Sequence, residues 1–215
     1  MTLRLAGSTS GYTEIDAPAV AGSNTLVLPT GNGSADQALV TNGSGTLSFA
    51  DRGRMVLATA QNSTSGTSID FTGIPSWVKR VTVMFNGVSL SGVDTYLFQL
   101  GTSSGFVTSG YNSGATSVSV STSNTTSGSA TNVTTGITAN GWSSSTAGVA
   151  YGHVFFTTLG SNQWVATGTL YVSGNLRVVT FGGAINLGGT LDRVRIASET
   201  TNTFDAGTIN ILYEG

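Results

Sequence analysis

The stretch "VAYGHVFFTTLGSNQWVATGTLYVSGNLRVVTFGG" (Val149–Gly183) decides the fold class of this chain. Its β-branched and aromatic residues fill three runs, Val149–Gly160, Gln163–Gly174 and Asn175–Gly183, with turn-forming glycine, serine and asparagine at their ends. Apolar and polar residues alternate within the runs, which is typical of antiparallel strands that bury one face. The stretch therefore predicts three consecutive antiparallel strands.

Similar runs lie on both sides of this stretch. Lys79–Leu90 and Asp94–Gly101 precede it, and Thr190–Glu199 and Gly207–Gly215 follow it. Seven or eight strands of this kind, joined by short turns, predict an antiparallel β-sandwich, jelly-roll-like in arrangement. We expect this sandwich to form a head domain over residues 51–215.

Residues 1–50 have a different sequence pattern, with shorter apolar runs. Short β fragments alternate there with Gly, Asn and Ser turns: "TLRLAG", "YTEIDA", "NTLVLP", "QALVTN" and "GTLSFA". Their spacing of about eight to ten residues fits short strands and tight turns, and Asn32-Gly33 is a strong turn dipeptide. The predicted fold class is thus all-β, with a short-stranded, extended N-terminal segment at 1–50 before the sandwich.

Composition narrows the classes of partner. Charged residues make up 8% of the chain, against about 25% in ordinary globular domains. The net charge of −2 and the absence of a basic stripe argue against nucleic-acid binding. No apolar run approaches the roughly 20 residues of a membrane span, so we expect no membrane insertion. The start "MTLRLAGSTSGY" lacks the features of a secretion signal, and we expect synthesis in a cytoplasm without an export signal.

The residues that usually carry catalysis or bind metals are sparse. His153 is the only histidine and there is no cysteine, so neither a Ser-His-Asp triad with its usual motif nor a thiolate metal site is indicated. Glu14 and Asp16 fit a solvated strand face better than a glycosidase carboxylate pair. Asp192 and its neighbouring arginines indicate surface ion pairs. We expect no enzyme activity, no catalytic or metal-binding residue and no cofactor.

A polar stretch interrupts the predicted strands. "SGATSVSVSTSNTTSGSATNVTTG" (Ser113–Gly136) is predicted to be mostly a long exposed loop, although "SVSVSTS" also suits an edge strand. Tyr111, Trp142 and Tyr151 flank it and are candidate surface-binding residues, with packing beneath the loop as the alternative. Trp77 is expected to close one end of the sandwich.

Two segments resemble a known family. "GSTSGYTEIDAPAVAGSNTLVLPTGNGSADQALVTNGSGTLSFA" (Gly7–Ala50) resembles a segment of tail-fibre and structural proteins of tailed bacteriophages, especially those of marine bacteria and cyanobacteria. "STSGTSIDFTGIPSWVKRVTVMFNGVSLSG" (Ser63–Gly92) looks like the opening of a β domain found at the C-terminus of such proteins. The resemblance covers about a third of the chain.

This resemblance implies a homotrimer. Apolar residues of the N-terminal fragments would then pack against the same residues of two other copies, and backbone groups would pair across chains. The residues expected to mediate trimerisation or attachment to the virion are Leu26, Leu28, Leu39, Leu47 and Phe49.

The resemblance also orders the functional alternatives. The first is a short trimeric tail-fibre or tail-tip protein that contacts the host surface, with a host cell-surface glycan or protein as a further partner. The second is a trimeric capsid decoration (cement) protein that stabilises the head. Both place the chain in the virion beside other tail or capsid proteins. A polysaccharide-degrading enzyme and a secreted carbohydrate-binding module are remote alternatives.

Overall fold

The chain divides into two units, Met1–Arg52 and Gly53–Gly215, a boundary two residues from the one that the sequence predicts. The structure, a computed structural model, describes residues 3–119, 126–129, 132–139 and 148–215. Each unit has its own sheets, and each is described by itself.

The first unit contains two antiparallel hairpins. Strands β1 (Leu3–Ala6) and β2 (Tyr12–Ile15) form the first hairpin, and β3 (Gln37–Thr41) and β4 (Leu47–Asp51) form the second. In the turn of the second hairpin, the Asn42 side-chain oxygen accepts hydrogen bonds from the backbone N–H groups two and four residues later, at 2.8 and 3.1 Å. This is the usual reason for asparagine in a tight turn.

The first unit has no core of its own. None of its described residues, 3–52, is buried. Phe49 is only half-buried, and its ring lies so close to Gly33 that a Cβ there would come within 2.6 Å of it. A short parallel bridge between Val27 and Thr46 adds backbone pairing without adding buried surface. Backbone hydrogen bonds and turns therefore define this unit, and apolar burial does not.

The second unit is an antiparallel β-sandwich, as the sequence predicts. Its larger sheet has the strand order β12-β11-β16-β15-β14-β8-β18-β5, with β6 also paired to β18. Its smaller sheet has the order β10-β9-β17-β7, with β13 also paired to β9. The strands are β5 (Met55–Leu57), β6 (Gln61–Asn62), β7 (Ser68–Thr72), β8 (Arg80–Leu90), β9 (Tyr96–Thr102), β10 (Gly105–Phe106), β11 (Asn112–Ser119), β12 (Thr126–Ser129), β13 (Ile137–Thr138), β14 (Ala150–Gly160), β15 (Gln163–Val172), β16 (Arg177–Asn186), β17 (Arg193–Ser198) and β18 (Phe204–Glu214).

The stretch that decides the fold class forms the middle of the larger sheet. Strands β14, β15 and β16 pair in sequence order and antiparallel, so the predicted meander is confirmed. A 3₁₀ turn at Ser173–Asn175 joins the last two strands, and Leu176 follows it in the left-handed conformation with φ 47°. No helix in the described ranges has the length and hydropathy needed to cross a membrane.

Aromatic side chains join the two sheets. Phe98 of the smaller sheet contacts three rings of the larger sheet, Phe85, Phe156 and Phe181, with centroid distances of 5.7, 6.2 and 5.4 Å. Tyr96 lies beside them, and its hydroxyl donates to the backbone oxygen of Val88 at 3.0 Å. Burial of each of these rings contributes about 1.5–3 kcal/mol to the stability of the sandwich.

Part of the stretch predicted to be a loop is strand instead. β11 pairs with both β16 and β12, and Ser113, Ala115 and Ser117 on its inner face are buried. The prediction of a mostly exposed loop over Ser113–Gly136 is therefore wrong for β11 and β12. Serine can be buried here because its hydroxyl is paired: the Ser113 Oγ accepts a hydrogen bond from the N–H of Thr138 at 2.8 Å. Residues 120–125 and 130–131 lie outside the described ranges.

Candidate functional site

The five predicted attachment residues lie on the first unit with different exposures. Leu26, Leu28 and Leu39 are exposed to 65%, 71% and 49%. Leu47 and Phe49 are half-buried within their own hairpin. The first three therefore offer apolar surface to another molecule, and the last two partly support the hairpin.

The first hairpin adds an apolar face that the sequence reasoning missed. Leu3 pairs with Ile15, and Leu5 lies two residues further on the same face; these side chains are 58%, 62% and 54% exposed. On the other face Arg4 and Glu14 form an ion pair at 2.8 Å. The sequence did contain a signal for this face. Apolar and charged residues alternate in "LRL" and "TEI", and successive side chains of a strand point to opposite faces.

Tyr111 does not belong to a surface. Its ring is 1% exposed, and its hydroxyl accepts a hydrogen bond from the N–H of Leu100 at 2.8 Å and donates to the Val107 oxygen at 3.0 Å. Burial raises the pKa of this hydroxyl to about 12. The expectation that Tyr111 is a surface-binding residue is therefore corrected, because the ring fills the core and its polar end is satisfied there. Trp142 lies outside the described residues.

Tyr151 is 42% exposed on the outer face of the larger sheet. It pairs with Tyr171, which pairs with Val178, which in turn pairs with Val118, so four strands contribute one exposed row. Each of these side chains is at least 40% exposed. The tyrosine expected at the surface is thus one member of a flat apolar row.

The other residues considered in the sequence, Trp77, His153 and Asp192, make packing or ion-pair contacts within the protein. Trp77 packs against the core and meets Tyr213 edge-to-face at 6.4 Å. His153 is exposed beside Phe155, with 4.6 Å between the ring centroids. Asp192 pairs with Arg193 at 2.8 Å, as expected from the sequence. Within the described ranges no group of three or more His, Cys, Asp or Glu side chains is arranged to hold a metal ion.

A groove lined by several cationic side chains lies where three strand ends of the second unit meet. Glu214 at the end of β18 pairs with Arg80 at the start of β8, which also pairs with Thr157 of β14. The backbone of Arg54 is tied to that of Gly215 by hydrogen bonds of 2.7 and 3.1 Å. The depression has a volume of about 540 Å³. We call it the cationic groove; its lining includes Arg54, Met55, Lys79, Arg80, Thr157 and Glu214.

A second depression lies next to the cationic groove, and Lys79 and Thr158 line both. Its volume is about 400 Å³. We call it the hydroxyl pocket; the polar side chains that it adds are Ser76, Ser161, Asn162 and Thr190. Among the described residues these four side chains make no hydrogen bond within the protein. The lining also includes two apolar side chains, Leu159 and Trp164.

The sequence carried a signal for the cationic groove. Of the chain's eight Lys and Arg residues, four lie in two short pieces, "RGR" at 52–54 and "KR" at 79–80. The overall net charge of −2 hides this concentration. The tertiary structure brings Arg54, Lys79 and Arg80 to one groove because the start of β8 lies beside the end of β18.

Comparisons with protein-family models, with curated proteins and with solved structures find no match to this chain.

Proposed function

We propose that this chain is a bacteriophage virion structural protein, most specifically a short trimeric tail-fibre or tail-tip protein that contacts the host surface. The single observation that carries the proposal is the contrast between the two units. The second unit has a complete core, whereas the first exposes nine large apolar side chains and buries none of its described residues. The resemblance of Gly7–Ala50 to tail-fibre segments supplies the class of protein.

The exposed apolar side chains argue for association. Burying one leucine contributes about 1.5–3 kcal/mol, so Leu26 and Leu28 in three copies would supply a substantial share of a trimer's stability. The apolar face formed by Leu3, Leu5 and Ile15 offers further contact area. The two-stranded hairpins are marginal alone, and association would stabilise them.

The same surface also suits the second candidate, a capsid decoration protein. In that case Leu26, Leu28 and the first hairpin would pack against coat subunits as well as against other copies. The mechanical work would be to hold neighbouring coat subunits together. The two candidates differ in location on the particle and not in the physical chemistry of the first unit.

Light scattering after size-exclusion chromatography tests the assembly. The full chain is expected to elute with three times the mass of 21.8 kDa. Leu26→Ser combined with Leu28→Ser is expected to shift the mass toward that of a single chain, because two apolar contacts per copy are lost. Val93→Ser, which removes an exposed apolar side chain of the sandwich, is the matched control. A monomeric parent chain would overturn the trimer.

Gold-labelled antibody against residues 53–215, imaged on phage particles that carry the protein, tests the location. Label at the tail is expected for a fibre or tail-tip protein. Label distributed over the head would overturn that role in favour of decoration. Particles that carry no label would overturn both the fibre role and the decoration role.

A further inference from the structure

We propose that the cationic groove and the hydroxyl pocket together bind an acidic polysaccharide, one whose sugar rings carry carboxylate or sulfate groups. The anionic groups would contact Lys79 and Arg80, and the neighbouring sugar hydroxyls would contact Ser76 and Thr190. As a statement about host contact, the inference rests on the proposed function. As a statement about ligand chemistry, it is tested on the purified protein.

Positive charge is concentrated at the cationic groove. Three cationic side chains line the groove, Arg54, Lys79 and Arg80, and Glu214 is the one carboxylate side chain among the lining residues. Glu214 is already paired with Arg80 at 3.0 Å. Lys79 is exposed and makes no ion pair among the described residues. In a chain with a net charge of −2, this local excess of positive charge favours an anionic ligand.

Contacts with neighbouring side chains restrict the two arginines of the groove. The Arg80 guanidinium lies 5.5 Å from the ring centroid of Phe155 and is held by Glu214. The Arg54 guanidinium lies 5.6 Å from the Trp77 ring centroid. A side chain that is already held in place loses less conformational entropy when it binds a ligand. These contacts restrict the two arginines in part, and Lys79 supplies a more adaptable contact.

Uncharged hydrogen-bonding groups lie next to the cationic side chains. The hydroxyl pocket offers the uncharged groups of Ser76, Ser161, Asn162 and Thr190, which both donate and accept hydrogen bonds. A sugar ring presents the same mixture of donors and acceptors. An acidic peptide would offer mainly its backbone N–H and C=O groups there, whereas each sugar ring carries several hydroxyl groups that both donate and accept. The volumes of about 540 and 400 Å³ are in the usual range of ligand pockets.

The arrangement of the two depressions indicates a polymer. Lys79 and Thr158 line both of them, so the two depressions are neighbours on one surface. A third depression of about 310 Å³ shares Leu159 and Trp164 with the hydroxyl pocket and adds the amides of Asn112, Gln163 and Asn186. A chain of sugars would occupy successive depressions, whereas a single small anion would use the first alone.

Titration calorimetry on the full chain tests the proposal with four probes: alginate, dextran sulfate, unmodified dextran and poly-glutamate. Alginate or dextran sulfate is expected to bind, with affinity that falls as salt is raised from 0.05 to 0.5 M, because screening weakens charge contacts. Unmodified dextran and poly-glutamate are expected to bind at least tenfold more weakly. No binding of either acidic polysaccharide overturns the proposal, and so does poly-glutamate binding of equal strength.

Variants locate the site. Lys79→Gln is expected to weaken binding about threefold to tenfold. Ser76→Ala combined with Thr190→Val is expected to weaken alginate binding about threefold while leaving the salt dependence unchanged. Arg4→Gln, which removes the same charge from the first unit, is the matched control and is expected to bind like the parent chain. Equal loss in Arg4→Gln and Lys79→Gln would overturn the assignment to the groove.

The binding experiments and the virion experiments can fail independently of each other. A chain that is trimeric and lies at the phage tail but binds none of the probes leaves the proposed function standing and removes this inference. A chain that binds alginate through Lys79 but is absent from phage particles leaves the binding site and removes the virion role. Thermal unfolding of each variant, expected within 2 °C of the parent, shows that the loss of binding is not a loss of folding.

Discussion

The ring of Phe98 in β9 stacks on the ring of Phe181 in β16, with 5.4 Å between the ring centroids and 11° between the planes. One ring belongs to the smaller sheet and the other to the larger. Both residues are buried, with 0% and 3% exposure. The contact therefore lies between the two layers and reports directly on whether the sandwich has closed.

Truncation of this contact is expected to be costly. Phe98→Ala should lower the free energy of unfolding by about 3–5 kcal/mol, because a buried ring is lost and a cavity remains. Urea denaturation followed by tryptophan fluorescence measures the change. Phe155→Ala, which removes a ring from the half-buried outer position beside His153, is expected to cost less than half as much. Equal costs would contradict the assignment of Phe98 to the core.

Gly168 is expected to be intolerant of a methyl group. A Cβ at this buried position would clash with the Phe181 ring and would lie 2.9 Å from the Cβ of Val154. Gly168→Ala should therefore lower the free energy of unfolding by about 1–3 kcal/mol through overpacking. Gly53→Ala is the control, since its Cβ would meet only the Gly215 oxygen at 3.5 Å, and a change below about 0.5 kcal/mol is expected. A neutral Gly168→Ala would show that the layers are less tightly packed.

The buried hydroxyl of Tyr111 is expected to make the folded chain less stable at alkaline pH. The pKa of its hydroxyl is raised to about 12 in the folded chain, against about 10 when unfolded. The unfolded chain therefore ionises first, and stability that is fully present below pH 10 is lost as the pH rises toward 12. The slope expected from this group is about 1.4 kcal/mol per pH unit.

Tyr111→Phe tests this linkage. At pH 8 the variant should be about 1–3 kcal/mol less stable, because the N–H of Leu100 loses an acceptor. Between pH 10 and 11.5 its stability should fall less steeply than that of the parent chain. Urea denaturation at four pH values in this range gives both slopes, and parallel slopes would contradict a buried, protonated Tyr111 hydroxyl.

Arg195 and Asp70 form a two-point ion pair between β17 and β7, with N–O distances of 2.8 and 2.7 Å. The hydrogen bond to Asp70 raises the pKa of Arg195. The two side chains are 31% and 33% exposed, so solvent screens the pair and a coupling of about 1 kcal/mol is expected. A double-mutant cycle with Arg195→Gln and Asp70→Asn measures it.

The matching cycle with Arg80→Gln and Glu214→Gln provides the comparison. That pair has a single contact at 3.0 Å, and the arginine is 49% exposed. Its coupling is expected to be smaller than that of the Arg195 pair. A larger coupling for the more exposed pair would show that geometry does not set the strength of these contacts.

The sequence predicted most of the sandwich correctly because alternation is a local property. In β14, β15 and β16 the side chains on one face are apolar, and this pattern can be recognised without any knowledge of neighbours. Alternation failed as a guide at Ser113, Ala115 and Ser117, where the buried residues are small. A serine has the same identity in an exposed loop and in the core, so only the tertiary structure separates the two.

The candidate site was predictable only in part. Leu26, Leu28 and Leu39 are exposed as an attachment surface requires, and their role in a trimer stays a prediction. For Tyr111 the sequence left surface binding and core packing open, because a tyrosine beside a polar stretch suits both, and the structure shows core packing. Its hydroxyl partners, Leu100 and Val107, come from neighbouring backbone that the sequence alone does not align with the ring.

By itself the sequence determined the all-β class, the antiparallel meander at Val149–Gly183 and the change in texture near residue 50, because each of these depends on residues close together in the chain. Only the tertiary structure decided which rings meet between the sheets and which cations share a groove. Arg80 is brought to Glu214 by the pairing of β8 with β18, across more than half of the chain, and the N–H of Lys79 donates to the backbone oxygen of Glu214 at 2.7 Å. Contacts between distant segments depend on strand order and register, and a local pattern of residues does not contain that information.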